Sequence, residues 1–439
     1  MKIRTMEKSY DEVMALPRME HQKPLKPSTF LSLVMRAAAI PDLIATHFKY
    51  EKVNMDKAGE GPWLILMNHS SFLDLEIVSK IMFPKKYNII CTSDGFVGKE
   101  KLMRKLGCIP TQKFVTDMTL MSDIKYAIKD NNTSVLMYPE ASYSFDGTAT
   151  KLPRRLGVLF KSLNVPVVMI TTYGSFARDP LYNNLQKRKV KVTAKMECLL
   201  SKDEISAKSV AEIDDILDKA FDFDYFKWQK QNRVEITEDF RADGLNRILY
   251  KCPHCMAEGK TVGRGVKLYC NNCGEVYFLE TDGSISRVNG EAKFSHIPDW
   301  YAWERSEVKK AIENKTYSLD SNVKIGIIVD TKAVYMVGEG KLHHDNEGFT
   351  LTGTGKLEGK LFYKQKPEEN YGLYSDYYWY SIGDVICLGK KDCLYYCFPE
   401  EKDIVAKART AAEELFKISR QEREQKRLEK AAASSAEEK

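Results

Sequence analysis

The stretch Trp63-Leu64-Ile65-Leu66-Met67-Asn68-His69-Ser70-Ser71-Phe72-Leu73-Asp74 runs from an unbroken apolar segment into a polar turn and then a helical pattern. Four to eight consecutive apolar residues bounded by turn signals read as a strand buried on both faces. The pattern repeats downstream. Tyr87 to Cys91, Ser134 to Tyr138, Val165 to Thr171 and Val190 to Cys198 read as strands, and Asp74 to Met82, Lys99 to Leu106, Thr119 to Lys129 and Leu156 to Leu163 as helices. Such alternation predicts an α/β domain over 49–246 with a mostly parallel sheet flanked by helices, and the charged helical stretch 202–246 is expected to close it.

Around this domain the 439 residues divide by composition. Residues 1–27 form a polar extension. Residues 28–48 contain the most apolar segment, Phe30 to Phe48, interrupted by Arg36 and Pro41, which predicts two short helices rather than one span. A buried core pair and an amphipathic pair lying in a membrane surface both fit that pattern. A small module at 247–282 carries Cys252-x2-Cys255 and Cys270-x2-Cys273 around a Gly-rich hairpin, Gly259 to Gly265, and a helical linker spans 283–316. Residues 317–425 are β-rich and end in a helix, the order of a pleckstrin-homology-like barrel, and 426–439 is a charged tail. Tyr371 to Tyr380 holds six aromatics in ten residues, which fits an interaction surface or a half-buried hairpin equally.

Charge and cysteines exclude several classes. Lys and Arg number 67 against 61 Asp and Glu, a net charge of +6, with 43% apolar residues, so the chain is neither disordered nor strongly basic. Four of ten cysteines lie in the two pairs and the rest are scattered, which points to a reducing compartment and a metal rather than a disulfide framework. Cys387, Cys393 and Cys397 read as reduced core thiols. Met1 to Met14 has no apolar signal core, and no apolar run reaches the length of about 18 residues that a membrane span needs.

Two stretches carry chemistry. A five-residue step turns about 140° around a regular helix, so His69 and Asp74 meet only if His69 sits in the turn and Asp74 reaches back from the first helical turn. The carboxylate would then set the imidazole tautomer and leave the other ring nitrogen as a base. Ser71-x-x-Asp74 also fits a helix-start capping pattern. Tyr138-Pro139-Glu140-Ala141-Ser142-Tyr143-Ser144-Phe145-Asp146-Gly147 follows a second strand and offers a carboxylate and hydroxyls. Basic residues flank both stretches: Lys99, Lys101, Arg104, Lys105 and Lys113 on one side, Lys151, Arg154, Arg155 and Lys161 on the other. They suit a phosphate-bearing ligand or an anionic membrane, and equally a solvated helix face.

Asn68-His69-x4-Asp74, Gly107-Cys108-Ile109-Pro110-Thr111-Gln112-Lys113, Tyr138-Pro139-Glu140 and Val165-Pro166-Val167, in this order over residues 28–200, resemble the blocks of the glycerophospholipid acyltransferase superfamily, in particular its 1-acylglycerol-3-phosphate acyltransferase branch. The resemblance implies an O-acyltransferase of phospholipid biosynthesis. It would move a fatty acyl group from acyl-CoA or acyl carrier protein to the hydroxyl of a lysophospholipid such as 1-acylglycerol-3-phosphate. It implies His69 as general base, Asp74 as its partner, and Glu140 in the acceptor-binding block with Ser142, Tyr143 and Ser144. The family's phosphate-binding Arg is replaced by Tyr143, and the Arg ending the second block by Lys113, so the acceptor pocket is altered; Arg154 or Arg155 could supply the charge. The amphipathic start of many members matches Phe30 to Phe48 and implies peripheral attachment at the cytoplasmic membrane face.

Cys252, Cys255, Cys270 and Cys273 have the spacing of a structural zinc ribbon, with four thiolates closing the coordination sphere. His254 reads as a bystander, and the segment is not basic enough to bind nucleic acid. The competing expectation is a catalytically silent lipid-binding adaptor that recruits a protein partner through the zinc ribbon and C-terminal region.

Overall fold

The computed structural model describes residues 2–437 except Thr116, Lys391, Asp392 and Lys402, with side chains through Glu429. The chain opens with β1 (Thr5–Glu7), α1 (Tyr10–Met14) and α2 (Thr29–Ala45). Next come β2 (Lys49–Val53), β3 (Leu64–Met67), α3 (Leu73–Met82), β4 (Tyr87–Thr92), α4 (Glu100–Lys105) and β5 (Cys108–Thr111). Then follow α5 (Met118–Lys129), β6 (Ser134–Met137), α6 (Leu156–Leu163), β7 (Val167–Tyr173), α7 (Ser175–Arg178) and β8 (Thr193–Leu200). Helices α8 (Lys202–Ala207), α9 (Val210–Ala220) and α10 (Tyr225–Gln231) complete this part.

The seven strands lie in the order β2-β8-β7-β3-β6-β4-β5. Five of them, from β7 to β5, run parallel, but β8 is antiparallel to β7 and carries β2 parallel to itself. The sheet is therefore mixed rather than parallel throughout. On β3, Ile65 and Met67 enter one apolar cluster, Leu64 and Leu66 another, because successive side chains point to opposite faces. Helices cover both faces, which is why β3 reads as continuous apolar sequence. Strands β2 and β5 escape sequence patterning because they are edges. β2 is mostly exposed and charged, and the edge position of β5 tolerates Pro110, which has no N–H to give a neighbour.

A four-stranded antiparallel sheet follows, β9 (Thr261–Arg264), β10 (Lys267–Cys270), β11 (Val276–Leu279) and β12 (Ile285–Arg287), ordered β12-β11-β10-β9. After α11 (Ile297–Glu313) comes a β-rich region: β13 (Leu319–Ile328), β14 (Val334–Asp345), β15 (Gly348–Thr354), β16 (Phe362–Gln365), β17 (Tyr374–Trp379), β18 (Gly383–Lys390) and β19 (Cys393–Pro399). These seven are antiparallel in the order β16-β15-β14-β13-β19-β18-β17. No ladder joins β16 to β17 among the described residues; Gly389 N donates instead to Gln365 Oε1 at 3.1 Å. The chain ends in α12 (Ile404–Glu437).

Three expectations change. Residues 1–27 are not merely a polar extension: β1 adds to β14 in parallel, and α1 buries Val13 behind a Ser9/Glu12 capping box. Residues 29–45 form one helix, not two. Pro41 removes only one backbone donor, while buried Ala39 and Leu43 anchor that half of the helix and Asp42 pairs with Arg178 and Lys187. The segment assigned to a charged tail continues α12 to Glu437. One cluster then runs through all parts: Ile65 and Met67 of β3, Leu268 and Tyr277 of the cysteine module, Trp300 of α11, Val323 and Leu342 of the last sheet, and Val405 and Ala408 of α12.

Candidate active site

β3 ends at Met67, and the turn to α3 puts His69 at the carboxyl end of the sheet, where open α/β folds place their sites. Asp74, in the first turn of α3, is fully buried and reaches back with one oxygen. That Oδ2 accepts from Ser70 N at 2.9 Å, Ser71 N at 3.1 Å and the His69 Nδ1–H at 3.1 Å. The capping and orienting roles are thus filled together, at the helix end where a carboxylate is electrostatically favoured. An acceptor at Nδ1 holds the ring in the tautomer whose Nε2 is unprotonated.

The backbone of His69 is held from both sides. Its N–H donates to Glu140 Oε1 at 3.1 Å, and its carbonyl accepts from Ser144 N at 3.0 Å. Glu140 Oε2 accepts from Thr150 N at 2.7 Å, so one buried carboxylate ties both ends of the 140–150 loop to the His69 turn. The imidazole is sandwiched between the rings of Tyr138 and Tyr143, with centroids 4.0 and 3.9 Å away. Asn68 pins the strand end to β7 through Thr172 N, at 2.8 Å.

Burial sets the electrostatics. The His69 side chain is 15% exposed, and desolvation lowers its pKa below the ordinary 6.5 although Asp74 pulls upward. His69 is therefore neutral at neutral pH, the form in which Nε2 can accept a proton. Burial raises Glu140 to about 7, against the pull of its two backbone N–H bonds and of Arg409. The Tyr138 and Tyr143 hydroxyls are pushed upward by burial and stay protonated. Tyr138 Oη has no hydrogen-bond partner among the described residues.

The other predicted residues lie in three places. Ser142, Tyr143 and Ser144 lie in the Glu140 loop; Ser144 Oγ accepts from Gly147 N at 3.0 Å and donates to Thr148 O at 2.6 Å, shaping that loop. Lys113 Nζ sits 4.4 Å from the centroid of the Tyr374 ring. Arg154 pairs with Asp218 at 2.6 Å, and Arg155 N donates to Asp214 Oδ2 at 2.7 Å; both arginines are exposed on the α6–α9 side.

Residues from the C-terminal sheet that local sequence did not reveal cover this face. The Tyr371 to Tyr380 run is mostly packed inward. Tyr374 Oη donates to the buried Asp94 at 3.2 Å, Trp379 Nε1 to Tyr374 Oη at 3.2 Å, and Tyr371 meets Phe114 edge-on at 5.2 Å. A Cβ at Gly372 would come within 2.5 Å of the Phe114 ring, so this close approach requires glycine. Burial raises Asp376 to about 6, while the Lys113 ammonium pulls it down. Arg409 of α12 donates to Ser142 Oγ at 3.1 Å. The six aromatics were the available signal, but nothing local says which surface they meet. The crevice beside His69 holds about 20 Å³, room for a single water, and shares Ala149 and Phe221 with an open groove of about 390 Å³ lined by Lys151, Asp218 and Lys219.

Cys252, Cys255, Cys270 and Cys273 bring four Sγ atoms within 4.8 Å of one another. The 252–273 and 255–270 separations are 3.8 and 3.7 Å. Tetrahedral zinc with arms of about 2.3 Å needs sulfur–sulfur edges of about 3.8 Å, so the donor set and its spacing fit that ion. The two knuckles repeat one turn: Met256 N donates to Cys252 O and Gly274 N to Cys270 O, both at 2.9 Å.

Residues 47–173, which contain His69, Asp74 and Glu140, match the family model described as Acyltransferase. Among solved structures, the 1-acyl-sn-glycerophosphate (LPA) acyltransferase PlsC from Thermotoga maritima is similar at 13% identity, over 44% of this chain and 77% of that one, with a TM-score of 0.33. Among the described residues, no helix is long and apolar enough to cross a membrane.

Proposed function

We propose that the chain transfers a fatty acyl group from a thioester donor, acyl-CoA or acyl carrier protein, to the hydroxyl of a lysophospholipid, with His69 as general base. The observation that carries this reading is a neutral imidazole whose Nδ1 is committed to Asp74, at the turn that the family domain contains. Nε2 takes the acceptor hydroxyl's proton as the oxygen attacks the thioester carbonyl. The tetrahedral intermediate collapses with loss of the thiolate, which leaves with that proton, and the imidazole is neutral again. No covalent acyl-enzyme is needed. Ser70 Oγ is engaged with Ser175 Oγ at 2.8 Å and Ser71 Oγ with Asp179, so neither hydroxyl is poised on His69 as a nucleophile.

Glu140, Ser142, Tyr143 and Ser144 form the acceptor side of this reading, and Lys113 supplies positive charge for a phosphate. Arg154 would have to release Asp218 to reach the headgroup, whereas Asp214 holds only the backbone N–H of Arg155. Zinc in the four-cysteine module is structural: it would hold the knuckles, with no open position for substrate.

Membrane attachment through α2 completes the proposal. Phe30 and Ile44 are 71% and 68% exposed, and Leu33, Val34 and Ile40 line the same side of the helix, while Ala39 and Leu43 face the protein. An apolar stripe of this kind suits insertion into a lipid surface.

The test is purified protein with acyl-CoA and a panel of lysophospholipids, read as free thiol released. Acceptor-dependent release that His69→Ala abolishes supports the reading. Release unchanged in His69→Ala overturns the mechanism, and lysolipid binding with no release would leave a lipid-binding adaptor.

A further inference from the structure

The loop that holds His69 is clamped by a residue from the opposite end of the chain. Arg409 of α12 is 4% exposed. Its Nη1 donates to Ser142 Oγ at 3.1 Å, its Nη2 to Thr150 Oγ1 at 3.2 Å, and its guanidinium carbon stands 4.2 Å from the Phe145 ring centroid. All three contacts fall on the 140–150 loop. The same Thr150 gives its N–H to Glu140, and Glu140 takes the N–H of His69. One hydroxyl, one backbone amide and one carboxylate thus separate Arg409 from the backbone of the proposed base.

The clamp is itself anchored. Arg409 Nε donates to Glu413 Oε1 at 3.3 Å, and the second oxygen of Glu413 accepts Arg305 of α11 at 2.7 Å. The buried guanidinium is therefore paired, the condition under which a buried charge is tolerated. The contact also matches guanidinium chemistry: a planar fork serves two hydroxyls while its face lies on an aromatic ring, and an ammonium cannot do both. The loop needs such a hold, because Ala141 stands at φ +54°, a left-handed conformation that is unfavourable for a non-glycine residue and persists only where surrounding contacts impose it.

We propose that Arg409 is a positioning residue for the acyl-transfer site: α12 locks the Glu140 loop and thereby the His69 turn, so the C-terminal region is a working part of the first domain. The kinetic consequence rests on the acyl-transfer reading above; the structural one does not.

The experiment uses full-length protein carrying Arg409→Lys, which keeps the charge beside Glu413 but loses the fork, and Arg409→Gln, which loses both. Bound zinc and thermal unfolding report whether each variant is folded. The expected result is a fall in kcat of about tenfold or more in both variants, the scale on which misplaced catalytic groups act. In Arg409→Gln the acid limb of the kcat profile moves to higher pH, since Glu140 loses a positive neighbour. Hydrogen exchange rises in 138–150 and stays unchanged in 319–399. Unchanged kcat overturns the proposal, whether or not the acceptor KM rises. Exchange that rises equally everywhere also overturns it. If wild-type protein releases no thiol with any acceptor, the functional reading falls, and exchange in 138–150 alone decides whether Arg409 locks the loop.

Discussion

Tyr143 lays its ring on the imidazole of His69 at a centroid distance of 3.9 Å, so an aromatic face stands where the resemblance places a phosphate-binding arginine. The stack shields His69 from water, and desolvation is the largest cause of its lowered pKa. Replacing Tyr143 by Ala rehydrates the ring. The His69 pKa should then rise toward 6.5, as read by a histidine-selective NMR titration. A value that stays depressed would show that the stack is not what excludes water.

Asp74 gives one oxygen to three N–H groups. An Asn that turns its amide N–H toward Nδ1 forces the opposite tautomer of His69, and one that turns its carbonyl there keeps the tautomer but loses the charge that stabilises the imidazolium. Asp74→Asn should lower single-turnover thiol release by on the order of a hundredfold or more, while His69→Ala removes acceptor-dependent release. Near-normal release in Asp74→Asn would contradict the orienting role.

Glu140 opposes activity and stability in the same pH window. Its raised value of about 7, against 4.5 ordinarily, means the folded state holds the proton more tightly than the unfolded chain. Its contribution to stability is full below about 4.5 and is lost as pH rises through about 7. The ionised form, however, accepts both N–H bonds of the loop. Activity should therefore fall as pH drops through about 7, above where His69 alone would place the limb. Thermal unfolding followed over pH 5–8 should show the opposite trend at Glu140, as the loss of that trend in Glu140→Gln would report.

Zinc should bind at one ion per chain and stabilise more than its own module. Trp300 donates to Lys251 O at 3.0 Å and packs edge-on against Tyr277, so the knuckles share the core that reaches β3. Chelation or Cys252→Ser should lower the unfolding temperature of the whole chain along with zinc content. Loss of zinc with an unchanged melt would separate the module from the rest.

Phe30→Ser combined with Ile44→Ser leaves the interior untouched, since both side chains are exposed. Sedimentation with anionic phospholipid vesicles should weaken by about tenfold or more, because each apolar side chain contributes on the order of 2 kcal/mol when buried in lipid. Unaltered sedimentation would move the lipid contact away from α2.

What could be read in the sequence was local. His69 and Asp74 are five residues apart, the four cysteines lie within one short module, and strands buried on both faces announce themselves as apolar runs. Periodicity and ligand spacing act over one turn or one hairpin, so the order of residues determines them. Edge strands broke that rule: β2 carries charge and β5 carries a proline, as an edge allows. The remaining features needed the tertiary structure. β1 joins β14 across the chain, the Tyr371 to Tyr380 run seals the face of the first domain, and Arg409 meets Ser142 from 267 positions away. Such contacts depend on which surfaces are complementary once helices and sheets exist. The order of residues put His69 and Asp74 within one turn, whereas the packing of distant surfaces alone brought Arg409 from the other end of the chain onto the loop beside them.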